Sequence, residues 1–349
     1  MGFTGDSSNR YLTVGCLTGL SNRLKVLTSG LALAEATNRS FEMWWPVNSA
    51  CAAPFGELFS NPWKVSTARS EDVQQLKHYG GWRSPSAHDL LLETAHDLRV
   101  RANGVLLNPQ QFPTHRELET RRLAFFRELS PQYELAKVIE MFRHAHFRPF
   151  MVGVHLRRGD FTQFRGDTVR NTRAAMRLVD GALGQHHDAG ILLCSDDGAG
   201  NYWDKGRTTT EGVHRKFKQR YGDRVVWRTP ATLDRRDPTA IKDAVIDLWL
   251  LRHTHSFVGT KGSTFSEITS YGRNVPAILC GGRRIDYLLL DWFLRGSRID
   301  RLLRRRHLQD LGAIPPAGFT MHQIRSLRIV SYFFNRRRYY RKELNEEIF

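Results

Sequence analysis

The chain has 349 residues, too many for one ordinary core, so its length predicts two domains of roughly 150 residues each. Hydrophobic residues make up 41% and aromatic residues 11% of the chain, which is sufficient to form two hydrophobic cores. Lysine and arginine number 52 against 35 aspartates and glutamates, a net charge of +17. This excess predicts an acidic partner: nucleic acid, anionic lipid or a phosphorylated substrate.

The cysteines and the apolar runs restrict the class of protein further. Cys16, Cys51, Cys194 and Cys280 are far apart and form no C-x-x-C pair, which favours neither a zinc site nor a disulfide framework. The first residues are polar, and no apolar run reaches ~18 residues, the length of a membrane span. We therefore expect a cytoplasmic protein without a signal peptide or transmembrane helix.

The N-terminal part begins with a strand, a turn and a helix. Residues 11–17 (YLTVGCL) predict the strand, and residues 23–37 predict the helix. Between them, the turn contains Gly19, and Ser21 or Asn22 can cap the helix. Free amides at a helix start can bind an anion, although most such turns bind nothing.

The sequence from residue 41 to residue 148 contains no recognisable site. Residues 41–45 predict a second strand, 48–61 predict a loop, and 63–111 have an irregular pattern without a recognisable site. Residues 116–148 predict two helices interrupted at Pro131, and this connector is a plausible domain boundary.

A short apolar run at 150–156 predicts a buried strand that ends in a loop. Two guanidiniums at the exit of such a strand are costly unless they meet an anion, and their planar fork fits phosphate. Because ligand crevices of open α/β sheets lie at the carboxyl ends of strands, the stretch predicts a bound diphosphate. A surface loop with an Arg–Asp pair is the alternative. The polar residues concerned are His155, Arg157, Arg158 and Asp160.

Strands and helices alternate over residues 150–280, which predicts a parallel sheet. One strand, 190–195, ends in Asp196 and Asp197, for which ion pairing or hydroxyl contacts are favoured over a metal. The other expected elements are helices at 168–183 and 240–253 and strands at 223–227 and 274–279.

A second anion-binding candidate follows the strand predicted at 256–258. The loop 259–264 (GTKGST) supplies backbone amides, hydroxyls and a lysine at the start of a helix, with Thr264 and Glu267 as a capping box. It is not a P-loop, because the Gly-Lys-Ser/Thr order is absent. An ordinary βα turn is the alternative.

Three blocks of the sequence resemble the fucosyltransferase superfamily of α1,2-, α1,6- and nodulation-factor fucosyltransferases. They are residues 17–24 (LTGLSNRL) with 34–39 (AEATNR), residues 153–160 (GVHLRRGD), and residues 244–251 (AVIDLWLL) through 259–266 (GTKGSTFS). The middle block matches the family's H-x-R-R-x-D motif and is the most specific. The resemblance covers residues 11–280.

The resemblance implies an α/β protein of GT-B type, with two Rossmann-like domains facing a cleft and inversion at the fucose anomeric carbon. It implies GDP-fucose as donor and a glycan or glycolipid as acceptor. Because fixed guanidiniums and amide donors can stabilise the charge on the leaving diphosphate, we expect neither a cofactor nor a metal. Arg157 and Arg158 would bind the diphosphate, and His155 and Asp247 would contact the nucleoside. The remaining expected donor-binding residues are Gly19, Ser21, Asn22, Asp196, Asp197, Gly262, Ser263 and Thr264.

The general base is not assigned by the resemblance. Where α1,6-type members carry a glutamate shortly after the motif aspartate, this chain has Arg165. Asp160 and Asp167 are the nearest carboxylates, and we expect them, with Arg157, to form the catalytic group. The alternative for Asp160 is a structural role instead of a catalytic one.

The expected organisation is an N-terminal α/β domain (11–148), a GDP-sugar-binding domain (149–312) and a basic tail (313–349). Within the tail, residues 320–342 combine an apolar helical face with seven basic residues from 325 to 342. They predict either a peripheral anchor on anionic lipid or a helix docked on the enzyme. Transfer of another nucleotide-activated sugar is the second candidate function, and a non-catalytic nucleic-acid-binding protein is the third. A nucleic-acid partner is not favoured, because the arginines are concentrated late and no module motif is present.

Overall fold

The computed structural model describes residues 10–79, 89–107, 115–158, 168–196, 212–271 and 277–280. These residues fall into two compact units. Unit 1 contains the described parts of Met1–Phe147 and Arg228–Leu250, and unit 2 those of Arg148–Trp227 and Leu251–Phe349. The expected boundary near 148 coincides with the first crossing between the units. Residues 228–250, which the sequence assigned to the second domain, group instead with unit 1.

Each unit is built on a five-stranded parallel sheet, so the predicted α/β class with parallel sheets is confirmed. The strands are β1 (Tyr11–Gly15), β2 (Ser40–Trp44), β3 (Val65–Ser66), β4 (Lys77–His78), β5 (Asp97–Arg101), β6 (Met151–Leu156), β7 (Gly190–Ser195), β8 (Val225–Val226), β9 (Ser256–Thr260) and β10 (Ala277–Cys280). The helices are α1 (Leu20–Ala36), α2 (Phe55–Leu58), α3 (Ser70–Gln75), α4 (His115–Glu128), α5 (Tyr133–His146), α6 (Thr168–Gln185), α7 (Val213–Tyr221), α8 (Pro238–Arg252) and α9 (Thr264–Thr269). Single 3₁₀ turns lie at Leu90–Leu92 and Gly222–Arg224.

The sheet of unit 1 has the order β3-β2-β1-β5-β4. Its central strand β1 pairs with β2 from Tyr11 opposite Ser40 and with β5 from Tyr11 opposite Asp97. Leu12 and Val14 are fully buried, as expected for a strand covered on both faces. Helix α1 is buried along most of its length and packs against α4.

Strand β5 lies in a region for which the sequence predicted only irregular structure. Leu98 and Val100 are buried, whereas Asp97 and Arg99 are exposed. That alternation is a half-buried strand pattern, but it is short, and charged residues dominate its composition. Helix α2 likewise occupies part of the predicted loop 48–61.

The segment 228–250 belongs to unit 1 because it makes aromatic, ionic and main-chain contacts there. The ring of Trp249 lies 5.7 Å from that of Phe59. Lys242 forms an ion pair of 2.7 Å with Glu57. The amide of Ala52 donates to the carbonyl of Arg235 at 3.1 Å. Most of α8 is therefore part of the core of unit 1.

The sheet of unit 2 has the order β10-β9-β6-β7-β8, and its central strand β6 is buried at every position. Gly153 lets β6 approach the residues before β9, because an added Cβ would lie 2.6 Å from Thr254 Oγ1. The core around β6 draws on α6, α7 and β7, with Val154, Val179 and Phe217 fully buried. The predicted strand 223–227 is shorter than expected, since its first residues form a 3₁₀ turn.

Two further expectations concern cysteines and membrane spans. Cys16, Cys51 and Cys194 are free thiols in buried positions, and the side chain of Cys280 lies outside the described residues. Among the helices of the described ranges, none is both long and apolar enough to cross a bilayer. The tail 313–349 also lies outside the described residues.

Candidate functional site

The topology of unit 2 indicates where its sheet is expected to bind a ligand. From β6 the chain builds outward through β7 to β8, and it then returns to the other side of β6 to form β9 and β10. The direction of building therefore reverses between β6 and β9. In open α/β sheets, ligands bind outside the carboxyl ends of the strands at such a switch point. Arg157 and Arg158 follow β6, and the loop Lys261–Ser263 follows β9.

The hydroxyl of Thr260, at the end of β9, fixes the exit of β6. It donates to the carbonyl of His155 at 3.1 Å and accepts from the amide of Arg157 at 3.0 Å. Thr260 is 1% exposed, so both hydrogen bonds are shielded from water. The main chain that carries Arg157 is thereby held at the switch point by a single side chain.

Asp196, at the end of β7, contacts both arginines. Its Oδ2 lies 3.1 Å from Nε of Arg157, and its Oδ1 accepts from the amide of Arg158. Ion pairing was the favoured interpretation of this carboxylate from the sequence, and it is present. Asp196 thus orients the arginines from one side, while its charge compensates part of theirs.

The side chain of Arg158 is directed by α6. Its Nη1 donates to Thr172 Oγ1 at 3.1 Å, and Thr172 is 4% exposed. On the neighbouring strand, Ser195 donates to the carbonyl of Leu156 at 2.8 Å. Hydrogen bonds from β7, β9 and α6 therefore converge on the arginine pair, which gives it a defined position before any ligand binds.

His155 lies beneath the arginines, with 6% of its surface exposed. Its Nδ1 is 2.6 Å from Ser266 Oγ, and Ser266 Oγ also accepts from the amide of Thr260 at 2.9 Å. The Ser266 hydroxyl can either donate to Nδ1 or accept from it, because its oxygen has two lone pairs and only one of them is used by the Thr260 amide. Burial lowers the pKa of His155 to about 4, the Asp196 charge opposes this, and Arg157 adds to it. The imidazole is consequently neutral at pH 7.

The loop before α9 has the conformation of a tight turn. Gly262 has φ of +82°, a left-handed conformation that favours glycine. Ser263 is the N-cap, and its Oγ accepts from the amide of Ser266 at 3.5 Å. The predicted capping box at Thr264 and Glu267 was wrong by one position, because Thr264 already has helical geometry and the extended residue is Ser263. Ser263 is buried and Thr264 is partly exposed at this turn.

In unit 1, the loop that contains Gly19 is organised by Arg23, for which no role was predicted. The guanidinium of Arg23 is fully buried and donates to the carbonyls of Thr18 and Pro46 and to Asn48 Oδ1. Asn48 in turn donates to the carbonyl of Leu17 at 3.1 Å. Burial lowers the pKa of Arg23, opposed by the neighbouring thiols. An arginine within an apolar helix pattern resembles a surface residue, which is why the pattern gave no signal.

The predicted caps of α1 were wrong. Gly19 is the N-cap, while Ser21 and Asn22 lie inside the helix. Asn22 donates its amide to the carbonyl of Gly19 at 3.0 Å, so that amide is already occupied. The donor-binding roles of Gly19, Ser21 and Asn22 stay predictions.

Asp247, also in unit 1, forms an ion pair with Arg228. Arg228 Nε lies 3.3 Å from Asp247 Oδ1, and its Nη2 lies 2.7 Å from Asp243 Oδ1. Burial raises the pKa of Asp247 to about 6, Arg228 opposes the shift, and the Asp243 charge adds to it. The expected contact of Asp247 with a nucleoside stays a prediction.

Asp160, Asp167 and Asp197 lie outside the described residues. Within the described ranges, no three His, Cys, Asp or Glu side chains lie close enough together to hold a metal ion. Of the predicted site residues, the structure brings together His155, Arg157, Arg158, Asp196 and Ser263 in unit 2. It adds Thr172 and Ser266, which had no predicted role, and it places Thr260, expected among the anion-binding loop hydroxyls, at the end of β9.

No family model and no curated protein matches the sequence. Solved structures do match: an Arabidopsis thaliana FUT1 mutant in complex with GDP has a TM-score of 0.52 at 12% identity, over 78% of this chain and 71% of that one. This chain has the fold of a fucosyltransferase. The Bradyrhizobium fucosyltransferase NodZ has a TM-score of 0.50 at 19% identity, over 76% and 92% of the two chains. NodZ α-1,6-fucosyltransferase co-crystallised with GDP matches at 0.50 and 16% identity, over 76% and 93%.

Proposed function

We propose that this protein is a glycosyltransferase that moves fucose from GDP-fucose to a hydroxyl of a glycan acceptor, with inversion at the anomeric carbon. The observation that carries the proposal is the paired arginines, Arg157 and Arg158, held at the switch point of a nucleotide-binding type of sheet. The fucosyltransferase fold and the H-x-R-R-x-D resemblance support it. Solved relatives of this fold include proteins bound to GDP.

The proposed chemistry follows from the charge that develops on the leaving group. Cleavage of the bond between fucose and phosphate builds negative charge on the diphosphate, and fixed guanidiniums stabilise that charge in the transition state. Arg157 and Arg158 supply those groups, and the contacts of Asp196 with the Arg157 guanidinium and the Arg158 amide help to align them. Ser263 and Thr264 add hydroxyl and amide donors at the neighbouring loop.

His155 acts in this proposal as a neutral hydrogen-bonding group towards the nucleotide. With its pKa near 4, it carries no charge at pH 7, and Ser266 fixes its orientation through Nδ1. The acceptor hydroxyl still needs a base, and Asp160 and Asp167 are the proposed candidates. Replacing each by asparagine should show which one abolishes transfer while donor binding is retained.

The decisive experiment is incubation of the full chain with radiolabelled GDP-fucose, GDP-mannose, UDP-glucose and UDP-N-acetylglucosamine, without acceptor. We expect slow release of fucose from GDP-fucose alone. If a different donor is hydrolysed instead, the transferred sugar is the sugar of that donor and not fucose. If no sugar nucleotide is hydrolysed or bound, the proposal of a glycosyltransferase is contradicted. Non-catalytic binding of nucleic acid is then the favoured function.

Arg157→Lys tests the geometry of the site at constant charge. A lysine is a point charge that cannot make the two parallel hydrogen bonds of a guanidinium, so donor turnover should be lost. Arg220→Lys is the matched control, because Arg220 is an exposed arginine of the same unit that pairs with Asp180. Near wild-type turnover by Arg157→Lys would contradict the assignment.

The acceptor side of the proposal includes a peripheral membrane contact. We propose that the basic segment 320–342 holds the enzyme at anionic lipid beside a membrane-borne glycan, with about 1 kcal/mol for each basic residue near the surface. Co-sedimentation with anionic and neutral vesicles should show salt-sensitive binding of the full chain to anionic vesicles only. A chain ending at Pro315 should lose that binding, and equal binding by both chains would contradict the anchor.

A further inference from the structure

A separate cavity lies at the amino edge of the sheet of unit 1. Its volume is about 690 Å³, within the range of roughly 300–1,000 Å³ typical of small-molecule sites. It is formed by residues that precede three adjacent parallel strands: Arg10 before β1, Arg39 before β2 and the segment 91–94 before β5. The Gly19 loop follows the carboxyl end of β1, so the cavity and that loop are at opposite edges of the sheet.

Arg39 is the central cation of this cavity. It is 7% exposed, and its Nη2 donates to the carbonyls of Glu93 and Ala95 at 2.8 and 2.9 Å. Its buried Nε has no hydrogen-bond acceptor among the described residues. A buried guanidinium nitrogen without an acceptor destabilises the free protein, and an oxyanion bound beside the guanidinium can offset part of that cost through its charge.

The charges around Arg39 favour one added negative charge. Burial lowers the pKa of Arg39, the positive charge of Arg10 lowers it further, and Glu93 opposes both. Two arginines and one glutamate line the cavity, which leaves an excess of one positive charge. A single carboxylate would balance this excess and fit the planar fork of a guanidinium.

The rest of the lining indicates what carries that carboxylate. Thr37, Asn38 and Thr94 provide hydroxyl and amide groups, and Leu92 provides an apolar surface that is 76% exposed. A sugar ring presents hydroxyl groups at its rim and an apolar face of C–H groups. Hydrogen-bonding groups beside an exposed leucine suit such a ring better than they suit a wholly apolar ligand.

We propose that this cavity is a second binding site, specific for an acidic sugar of the uronic-acid class, with Arg39 and Arg10 binding the carboxylate. The site is independent of the proposed transfer reaction, because the residues that line it are distinct from those proposed to bind the donor. It would let the protein hold an acidic saccharide at a point that the donor does not occupy.

The test is calorimetric titration of the full chain with glucuronate in the presence of saturating GDP, which occupies the proposed donor site. Glucose, acetate and inorganic phosphate are the comparison ligands at equal ionic strength. We expect glucuronate to bind at millimolar concentration and each of the three others to bind more weakly. Equal affinity for glucose would overturn the role of the carboxylate, and equal affinity for acetate or phosphate would overturn the role of the sugar.

The variant Arg10→Gln should weaken glucuronate binding by about tenfold or more, the usual effect of losing a charge-assisted hydrogen bond. Arg10 is preferred to Arg39, because Arg39 also ties down the Glu93–Ala95 main chain and its loss can affect folding. Arg69→Gln is the matched control, since Arg69 is an exposed arginine of the same unit paired with Asp72. Unchanged affinity in Arg10→Gln, or absence of glucuronate binding to the wild type, would refute the site.

Discussion

Thr260→Val should separate the main-chain support of Arg157 from the chemistry of its guanidinium. Valine has nearly the same shape as threonine, so the substitution leaves no cavity. It removes the hydroxyl that donates to the His155 carbonyl and accepts from the Arg157 amide. Both main-chain groups would then lose this hydrogen bond. Water cannot easily replace it, because Thr260 is only 1% exposed.

The expected cost follows from those two groups. A buried polar group that loses its partner costs about 1–3 kcal/mol, so the loss of both bonds should lower the free energy of unfolding by about 2–6 kcal/mol. For a chain of this size, each kcal/mol lowers Tm by roughly 2–4 °C, and the expected decrease is at least ~4 °C. The KM for the donor should rise as well, because the strand end that carries Arg157 is no longer fixed.

Scanning calorimetry and donor kinetics measure the two effects. Thr260→Ser keeps the hydroxyl and should retain a donor KM close to that of the wild type. Thr28→Val is the control for loss of a buried hydroxyl, because Thr28 donates only to carbonyls of its own helix. If Thr260→Val and Thr260→Ser have the same Tm and the same KM as the wild type, the hydroxyl does not hold the arginine.

Asp196→Ala should lower kcat/KM about tenfold or more, since both arginines lose their common acceptor, whereas Asp196→Asn should lose less because the amide oxygen can still accept from Arg158. The converse result, with Asn as damaging as Ala, would indicate that the charge matters rather than the alignment. The raised pKa of Asp247, about 6, means that its contribution to stability is greatest below its unfolded pKa and is lost as pH rises towards 6. Asp247→Asn should therefore gain Tm relative to the wild type between pH 5 and pH 8, and a gap that is independent of pH would contradict the shift. Activity should survive EDTA, since Arg157 and Arg158 supply the cationic charge, and loss on chelation with recovery on adding Mn²⁺ would refute this.

Much of the fold of unit 2 was predictable because its strands carry simple signals. Strand β6, Met151–Leu156, is a continuous buried run, and each strand is followed by a helical pattern that requires a parallel crossover. In unit 1, Leu98 and Val100 of β5 are separated by charged residues, so the strand next to β1 was missed. The order of strands was not predicted, since it depends on contacts between segments far apart in the chain.

The charged residues of the site could be predicted from the sequence, whereas most of the hydrogen bonds that hold them in place could not. Arg157 and Arg158 are costly at a strand exit, and that cost is visible in the sequence. Thr260 was expected to be one of the loop hydroxyls available to an anion, because its actual partners, the Arg157 amide and the His155 carbonyl, lie far away in the sequence. Arg23 was missed for a similar reason: its acceptors are carbonyls and an amide oxygen, and no sequence pattern marks carbonyls as ligands.

Because residues 228–250 belong to unit 1, that unit cannot complete its core early in the synthesis of the chain. Domains generally fold in order as they leave the ribosome, but unit 1 contains α8, which emerges after β6 and β7 of unit 2. Until Trp249 is made, the ring of Phe59 lacks one of its neighbours and remains a candidate for chaperone contact. An N-terminal fragment ending at 147 should therefore aggregate when expressed alone. Fusing residues 228–250 to it through a flexible linker should restore a soluble unit.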